Sequence, residues 1–531
     1  MGLEVPVVCE PIYPGDRFRV GLTYQMQLSP MLNPVYDGLE VNFEAFFVPN
    51  RIIDTRWKEF WTGYNEFDQL TPTDLAPLRL THVSVHTDGI VTNAADLPRG
   101  SQMPIGLGSL LDFLGVQFSA YHPNGLPKGS ILDDSGVGFI IWNFPNEGIN
   151  ALPVLAYNRL FDDWYRNERT QRARLFDYYN NRFHQAITNR TISGVFFLND
   201  NMDDYDFSSS DGSSALSLFR RNYKKDRFTT ALPEPIIGGD VRIPVNTSKE
   251  FTEPYSEYST SALITSSDGG SSYSLNALAL GTIEQLKLAF KEYSYRMKDT
   301  YNGNRYNESI ESHYGIRVPD STVQRSYYLG SARDYVNFGE VYQTSSGDGN
   351  GTNGALGDYA GRGAASGTNF LFDETFYEHG FMFVLMCVNP VSRYFQGIKR
   401  MFTRFDRSDY FEPEFQNIGD DFITTNELYF DIFEECEFGS QVFGYNSRWI
   451  ELKSRYNELH GDFADPSVSS PMSRWNFARS FSSTPTISST FSEVLPINKP
   501  FVTSDQRLDN YFVDIAIDMQ SLRPVLAVES F

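Results

Sequence analysis

Residues 17–28 alternate without a break. Phe18, Val20, Leu22, Tyr24, Met26 and Leu28 share one parity, while Arg17, Arg19, Thr23, Gln25 and Gln27 share the other. A period of two is that of a half-buried strand, with one face on a core and one in water. Residues 41–53 begin the same way, with Val41, Phe43, Ala45 and Phe47 on one face. Pro49 ends that run because it brings no N–H to a ladder. Residues 511–519 alternate again, with Tyr511, Val513, Ile515, Ile517 and Met519 opposed by Asp514 and Asp518. The longest apolar run, residues 381–388, has the length of a strand and falls far short of a membrane helix. Strong strands near both termini predict one shared sheet system with long excursions between them.

Helical periods are few. Within residues 156–167, Tyr157, Leu160, Phe161, Trp164 and Tyr165 recur at the spacing of one helical face. A second helix is predicted from Thr282, with Gln285 completing a capping box and Ile283, Leu286, Phe290 and Tyr293 forming its apolar stripe. The excursions at 71–136, 199–214, 238–281 and 345–369 are rich in Gly, Ser, Pro and polar residues. Residues 238–281 read as an outward surface insertion and 345–369 as a flexible Gly/Ser-rich loop. No fixed-period repeat is present, which argues against a solenoid or propeller.

Composition narrows the function. Aromatics make up 15% of the 531 residues, which suits sheet faces and subunit contacts. Lys and Arg number 44 against 67 acidic residues, for a net charge of −23. A surface of that sign does not bind nucleic acid in bulk, since phosphate neutralisation needs clustered cations. Cys9, Cys387 and Cys436 are scattered, which fits a reducing compartment, and Cys387 reads as a small core residue. No secretory signal or myristoylation site is visible, with Pro6 standing where the latter needs Ser or Thr.

Catalytic and metal signals are weak. His82 and His86 lie four apart in surroundings that predict an exposed loop. No GxSxG elbow or Walker A motif occurs. Asp200, Asp203, Asp204, Asp206 and Asp211 crowd one loop but lack EF-hand spacing. Glu434, Glu435 and Glu437 read as surface or interface charge. No cofactor or metal is expected. Three basic clusters stand out. One is Arg166, Arg169, Arg172 and Arg174. The second is Arg220, Arg221, Lys224, Lys225 and Arg227 around Tyr223 and Phe228. The third is Arg393, Lys399, Arg400, Arg404 and Arg407, interleaved with Tyr394, Phe395, Phe402 and Phe405. Such clusters can hold single-stranded nucleic acid by charge and stacking, or pair with the chain's own carboxylates within or between subunits. The last two are the candidate DNA-facing or subunit-contact residues.

An ordered series of motifs carries a family resemblance. YPGDRF at 13–18 and FFVPNRI at 46–52 open it. LPVLAYNRLFDDWYRNE follows at 152–168, where Phe161 stands in place of a Trp, then DRFTTALP at 226–233 and IEQLKLAF at 283–290. Residues 305–315 and the QRSYYLG of 324–330 continue it, with Ser326 in place of a proline. Glu378-His379-Gly380, Val442-Phe443-Gly444-Tyr445 and Leu522-Arg523-Pro524 complete it. The series resembles the major capsid proteins of the Microviridae, in the gokushovirus-like branch.

The resemblance implies a mainly β fold: one discontinuous domain over 1–531, an eight-stranded antiparallel jelly roll with long loop insertions and a few helices. It implies self-assembly of copies of the chain into a small T=1 icosahedral shell around circular single-stranded DNA, in a virion assembled in the host cytoplasm. Implied partners are a small basic DNA-binding protein, an internal scaffolding protein and a host cell-surface receptor. In relatives the stretch matching 238–281 projects outward, which makes Ser266, Ser267, Asp268, Gly269, Gly270, Ser271 and Ser272 a candidate recognition tip. Relatives also carry a basic arm before the segment aligned with Gly2, so that arm's contacts are missing here or the start lies upstream. The rival reading is a secreted carbohydrate-binding or carbohydrate-cleaving β protein, suggested by acidity and aromatics.

Overall fold

The computed structural model describes residues 1–54, 57–62, 79–87, 108–116, 131–132, 138–143, 149–171, 173–174, 191–197, 217–235, 263–265, 272–274, 283–302, 306–317, 319, 324–342, 359–415, 419–430, 441–465, 471–502 and 510–524. The chain divides into two compact units, one of Met1–Pro233 with Asp320–Phe531 and one of Glu234–Pro319.

Eight strands organise the larger unit. They are β1 (Val5–Ile12), β2 (Arg17–Leu28), β3 (Leu39–Pro49), β4 (Tyr327–Tyr335), β5 (Asn337–Tyr342), β6 (Tyr359–Thr375), β7 (Gly380–Pro390) and β8 (Tyr511–Leu522). One four-stranded sheet has the order β1-β7-β3-β4 and the other β5-β6-β2-β8. Every pairing in the two sheets is antiparallel. The strands predicted at the two ends of the chain are direct neighbours, with Tyr511 opposite Leu28 and Leu522 opposite Arg17. β4 and β5 are separated only by the buried Val336, where the chain passes from one sheet to the other.

The alternating side chains explain why the sheets face each other. Phe18, Val20, Leu22, Tyr24 and Met26 of β2 meet Val41, Phe43, Ala45 and Phe47 of β3 and Met382, Val384 and Met386 of β7 in one core. Each fully buried Phe contributes about 1.5–3 kcal/mol to this layer. Two packed antiparallel sheets of four strands are the double sheet of a jelly roll. Cys387 is fully buried, as its apolar setting predicts.

Three expectations change. β3 is buried on both faces, because Phe46 and Val48 on its second parity pack under a helical layer with Tyr157, Leu160 and Phe161. That layer starts earlier than the aromatic period suggests, at Leu152, and runs as α-helix to Leu160 before widening into a π-helix over Phe161–Tyr165. The Gly/Ser-rich stretch is not wholly loop. Residues 345–358 lie outside the described residues, but from Tyr359 onward it is the long strand β6. Its glycines answer crowding, since a Cβ on Gly361 would lie 2.3 Å from the Asn33 carbonyl oxygen and one on Gly363 2.4 Å from Leu28 Cδ1.

In the smaller unit, Leu263–Thr265 and Ser272–Ser274 form an antiparallel pair, and helices span Ile283–Asn302 and Tyr306–Tyr314. Tyr295 and His313 stack across the two helices at 4.3 Å. Thr282 and the side chains of Ile283 and Leu286 lie outside the described residues; Phe290, assigned to the apolar stripe, is exposed.

Candidate functional site

The second and third basic clusters converge on shared carboxylates. Asp226 builds the turn before Arg227, its Oδ1 accepting from the Phe228 and Thr229 N–H groups, and Oδ2 accepting from the Tyr394 hydroxyl. This turns Arg227 inward, where it lies 2.6 Å from Glu427 and 3.2 Å from Glu451. Arg400 meets the same Glu427 at 3.3 Å and Asp421 at 3.1 Å, and Arg404 meets Glu451 at 2.8 Å. Burial raises the Glu427 carboxyl above its usual range, and Arg227 and Arg400 work against that shift. Arg393 pairs with the buried Asp37 at 2.7 Å, and Lys399 with Glu458.

The remaining candidates divide. Lys224 reaches Glu40 and Arg220 donates to the carbonyls of Met1 and Val494. Lys225 is exposed, and Arg407 is 93% exposed with Glu412 at 3.5 Å. Most of the cationic heads are therefore engaged by the chain's own acids. Of the first cluster, Arg166 lies 3.9 Å from Glu168, and Arg174 donates to Asn158 and the Ser217 carbonyl; Arg172 lies outside the described residues.

Tyr394 of the third cluster is buried, but Phe402 and Phe405 do the opposite. Short 3-10 turns over Arg400–Thr403 and Arg407–Asp409, the second held by an Asp406/Asp409 capping box, point Met401, Phe402, Phe405, Tyr410 and Phe411 toward solvent. The usual order of a surface, charge outward and aromatic inward, is inverted here.

A second ionic group sits between β3 and the start of the chain. Arg221 pairs with Glu4 at 3.2 Å and with Glu44, which also accepts from the Tyr165 hydroxyl. Burial pushes the Glu4 carboxyl up to about 7; Arg221 opposes the shift and Glu44 adds to it. The Tyr157 hydroxyl donates to the Glu4 carbonyl at 2.6 Å and accepts from the Phe219 N–H at 3.1 Å. Sequence reading missed these acids. The signal was Glu44 itself, a charge on the parity of β3 that Phe46 and Val48 continue as apolar.

Other candidates resolve simply. His82 and His86 lie on a strand, Arg79–Thr87, and not on a loop. Four residues of strand span about 13 Å, too far for both to ligate one ion. Among the described residues no group of three or more His, Cys, Asp or Glu could hold a metal. The acidic residues 200–211 and the glutamates 434–437 lie outside the described residues. So do Ser266, Ser267, Asp268, Gly269, Gly270 and Ser271; Ser272 begins a strand and pairs with Thr265.

Comparison with known proteins agrees with this architecture. The chain matches the family described as capsid protein (F protein) over residues 1–97 and 121–530. It is similar to capsid protein VP1 of Chlamydia phage 1, 24% identical over 603 residues, covering 99% of this chain and 92% of that relative. Capsid protein VP1 of Bdellovibrio phage phiMH2K is 25% identical over 560 residues, with 98% and 90% covered. Capsid protein VP1 of Spiroplasma virus 4 is 23% identical over 540 residues, with 92% and 84% covered. These matches favour a capsid role over the carbohydrate alternative. The chain belongs to the capsid protein (F protein) family, and its role is that of a major capsid protein.

Proposed function

We propose that copies of this capsid protein assemble into a small icosahedral shell enclosing circular single-stranded DNA, and that the chain has no catalytic activity. The observation that carries this is the eight-stranded double sheet in a chain that matches the capsid family along nearly its whole length. A double sheet with polar side chains on the outer parity of β2 is suited to a shell. Assembly takes place in the host cytoplasm with an internal scaffolding protein. A small basic DNA-binding protein takes up part of the DNA charge, in keeping with the net −23 of this chain. Residues 238–281 face a host receptor, with the loop between Thr265 and Ser272 at the tip.

Sedimentation of the purified protein with its scaffold tests the reading. A shell-sized particle that protects single-stranded DNA from nuclease is expected. A stable monomer under all conditions, or a particle that never holds DNA, overturns it.

A further inference from the structure

We propose that the aromatic face of residues 400–411, with Phe422 and Leu452 beside it, is a contact surface for a second copy of this chain. The proposal rests on the capsid reading and names one surface through which copies meet. Met401, Phe402, Phe405, Tyr410 and Phe411 are between 44% and 75% exposed. Two guanidiniums in the same stretch pack against neighbouring rings. Arg400 lies 5.0 Å over the Phe422 ring, and Arg404 lies about 6 Å from the rings of both Tyr410 and Trp449. Phe411 meets Trp449 edge-on at 5.5 Å, and Trp449 leads directly into the turn Ile450–Lys453 that carries the exposed Leu452. A contiguous apolar patch of this kind on a soluble chain marks an interface.

Charge decides the occupant. Stacking of single-stranded DNA on such rings needs free cations to track the backbone. Here Arg400 and Arg404 are bound to Asp421, Glu427 and Glu451. The rim adds Asp406, Asp409, Glu412 and Glu414 against the exposed Arg407 and Lys453, so it stays net acidic and disfavours phosphate. The chain itself carries exposed cations able to meet that rim, Lys225 and the loosely held Arg333, 3.9 Å from Glu40. The Phe and Met side chains of the patch carry no polar tips, which suits a permanent contact, as between shell subunits, more than a reversible one.

Two variants test this in the full chain with its scaffold. Phe402→Ser with Phe405→Ser should lower particle yield roughly tenfold or more, one contact's worth of affinity multiplied over a shell, while the soluble protein keeps the wild-type circular dichroism spectrum. A folded variant that assembles like wild type overturns the proposal. If that variant does not fold, Phe405→p-benzoylphenylalanine decides. Irradiated particles should then yield covalent dimers of this chain. Crosslinks to DNA or to a different protein, or none at all, overturn it. A wild-type chain that forms no particles would count against the capsid reading and would be seen before either variant is made.

Discussion

Arg227 and Glu427 meet at 2.6 Å with both side chains almost wholly shielded from water. The pair is not isolated, because Arg227 continues to Glu451 and Glu427 to Arg400. Four side chains from four separated segments thus neutralise one another under the aromatic face. Removing one partner leaves buried charge uncompensated, which costs about 3–5 kcal/mol. Arg227→Met should therefore lower the urea midpoint sharply. Arg227→Met combined with Glu427→Leu should recover much of that loss, because the orphaned carboxylate is gone. An equal or larger loss in the double variant would show that the pair does not act as a unit.

Ser326 stands where the family resemblance leads one to look for proline, and its two donors are both used. Its N–H and its hydroxyl donate to Asp163 Oδ2 at 2.9 and 2.8 Å, while Trp164 Nε1 donates to the Ser326 oxygen at 2.9 Å. Asp163 also pairs with Arg159 on the preceding turn. Proline would remove both donors to a buried carboxylate, and each unsatisfied buried group costs about 1–3 kcal/mol. Ser326→Pro is expected to lower the melting temperature, and Ser326→Ala to lower it less, since the N–H remains. A proline variant as stable as wild type would mean the contact is replaceable.

The Glu4 carboxyl is held up at about 7 by burial, above its ordinary 4.5. The folded state therefore holds a proton that the unfolded chain releases. The sign follows: this group's contribution to stability is fully present below about pH 4.5 and is lost as pH rises through 7. Asp420, raised to about 6 by burial, acts in the same direction at lower pH. Urea unfolding at pH 6 and pH 8 should show higher stability at pH 6. In Glu4→Gln that difference should shrink. A wild-type midpoint that rises from pH 6 to pH 8 contradicts the assignment.

The hairpin between Thr265 and Ser272 gives a clean deletion. Replacing residues 266–271 with Asn-Gly keeps the Thr265–Ser272 pair and supplies a tight two-residue turn. Particles should form in normal yield but attach poorly to host cells. Failure to assemble would make this loop a clamp on a neighbouring subunit, and normal infection would remove it from both roles.

Local periodicity carried the strands well. The alternation of residues 17–28 matches β2 at both ends, and that of 511–519 predicts most of β8. What it could not show was a partner far away in sequence. Phe46 and Val48 look like the solvent parity of β3 until residues 152–165 cover them. The basic clusters look like free charge until Glu427 and Glu451 arrive beneath them. Gly361 and Gly363 look like markers of flexibility until Asn33 and Leu28 crowd the same space. In each case the sequence signal was read at short range and the deciding atom came from long range.

The register of β2 against β8 also sets an order of events in the cell. Leu28 and Tyr511 are opposite one another, so the sheet that holds β2 lacks its β8 strand until the ribosome has passed residue 511. At roughly 5–20 residues per second that wait is about 25–100 s. During it, the backbone edges of residues 17–28 can pair fully with β6 only after residue 375 has emerged, and with β8 later still. Contacts of such sequence separation are slow to close, and an unpaired strand edge is open to mispairing. Fast synthesis of many copies at once thus exposes many half-built sheets together, and the tempo of translation bears on how many chains complete the double sheet.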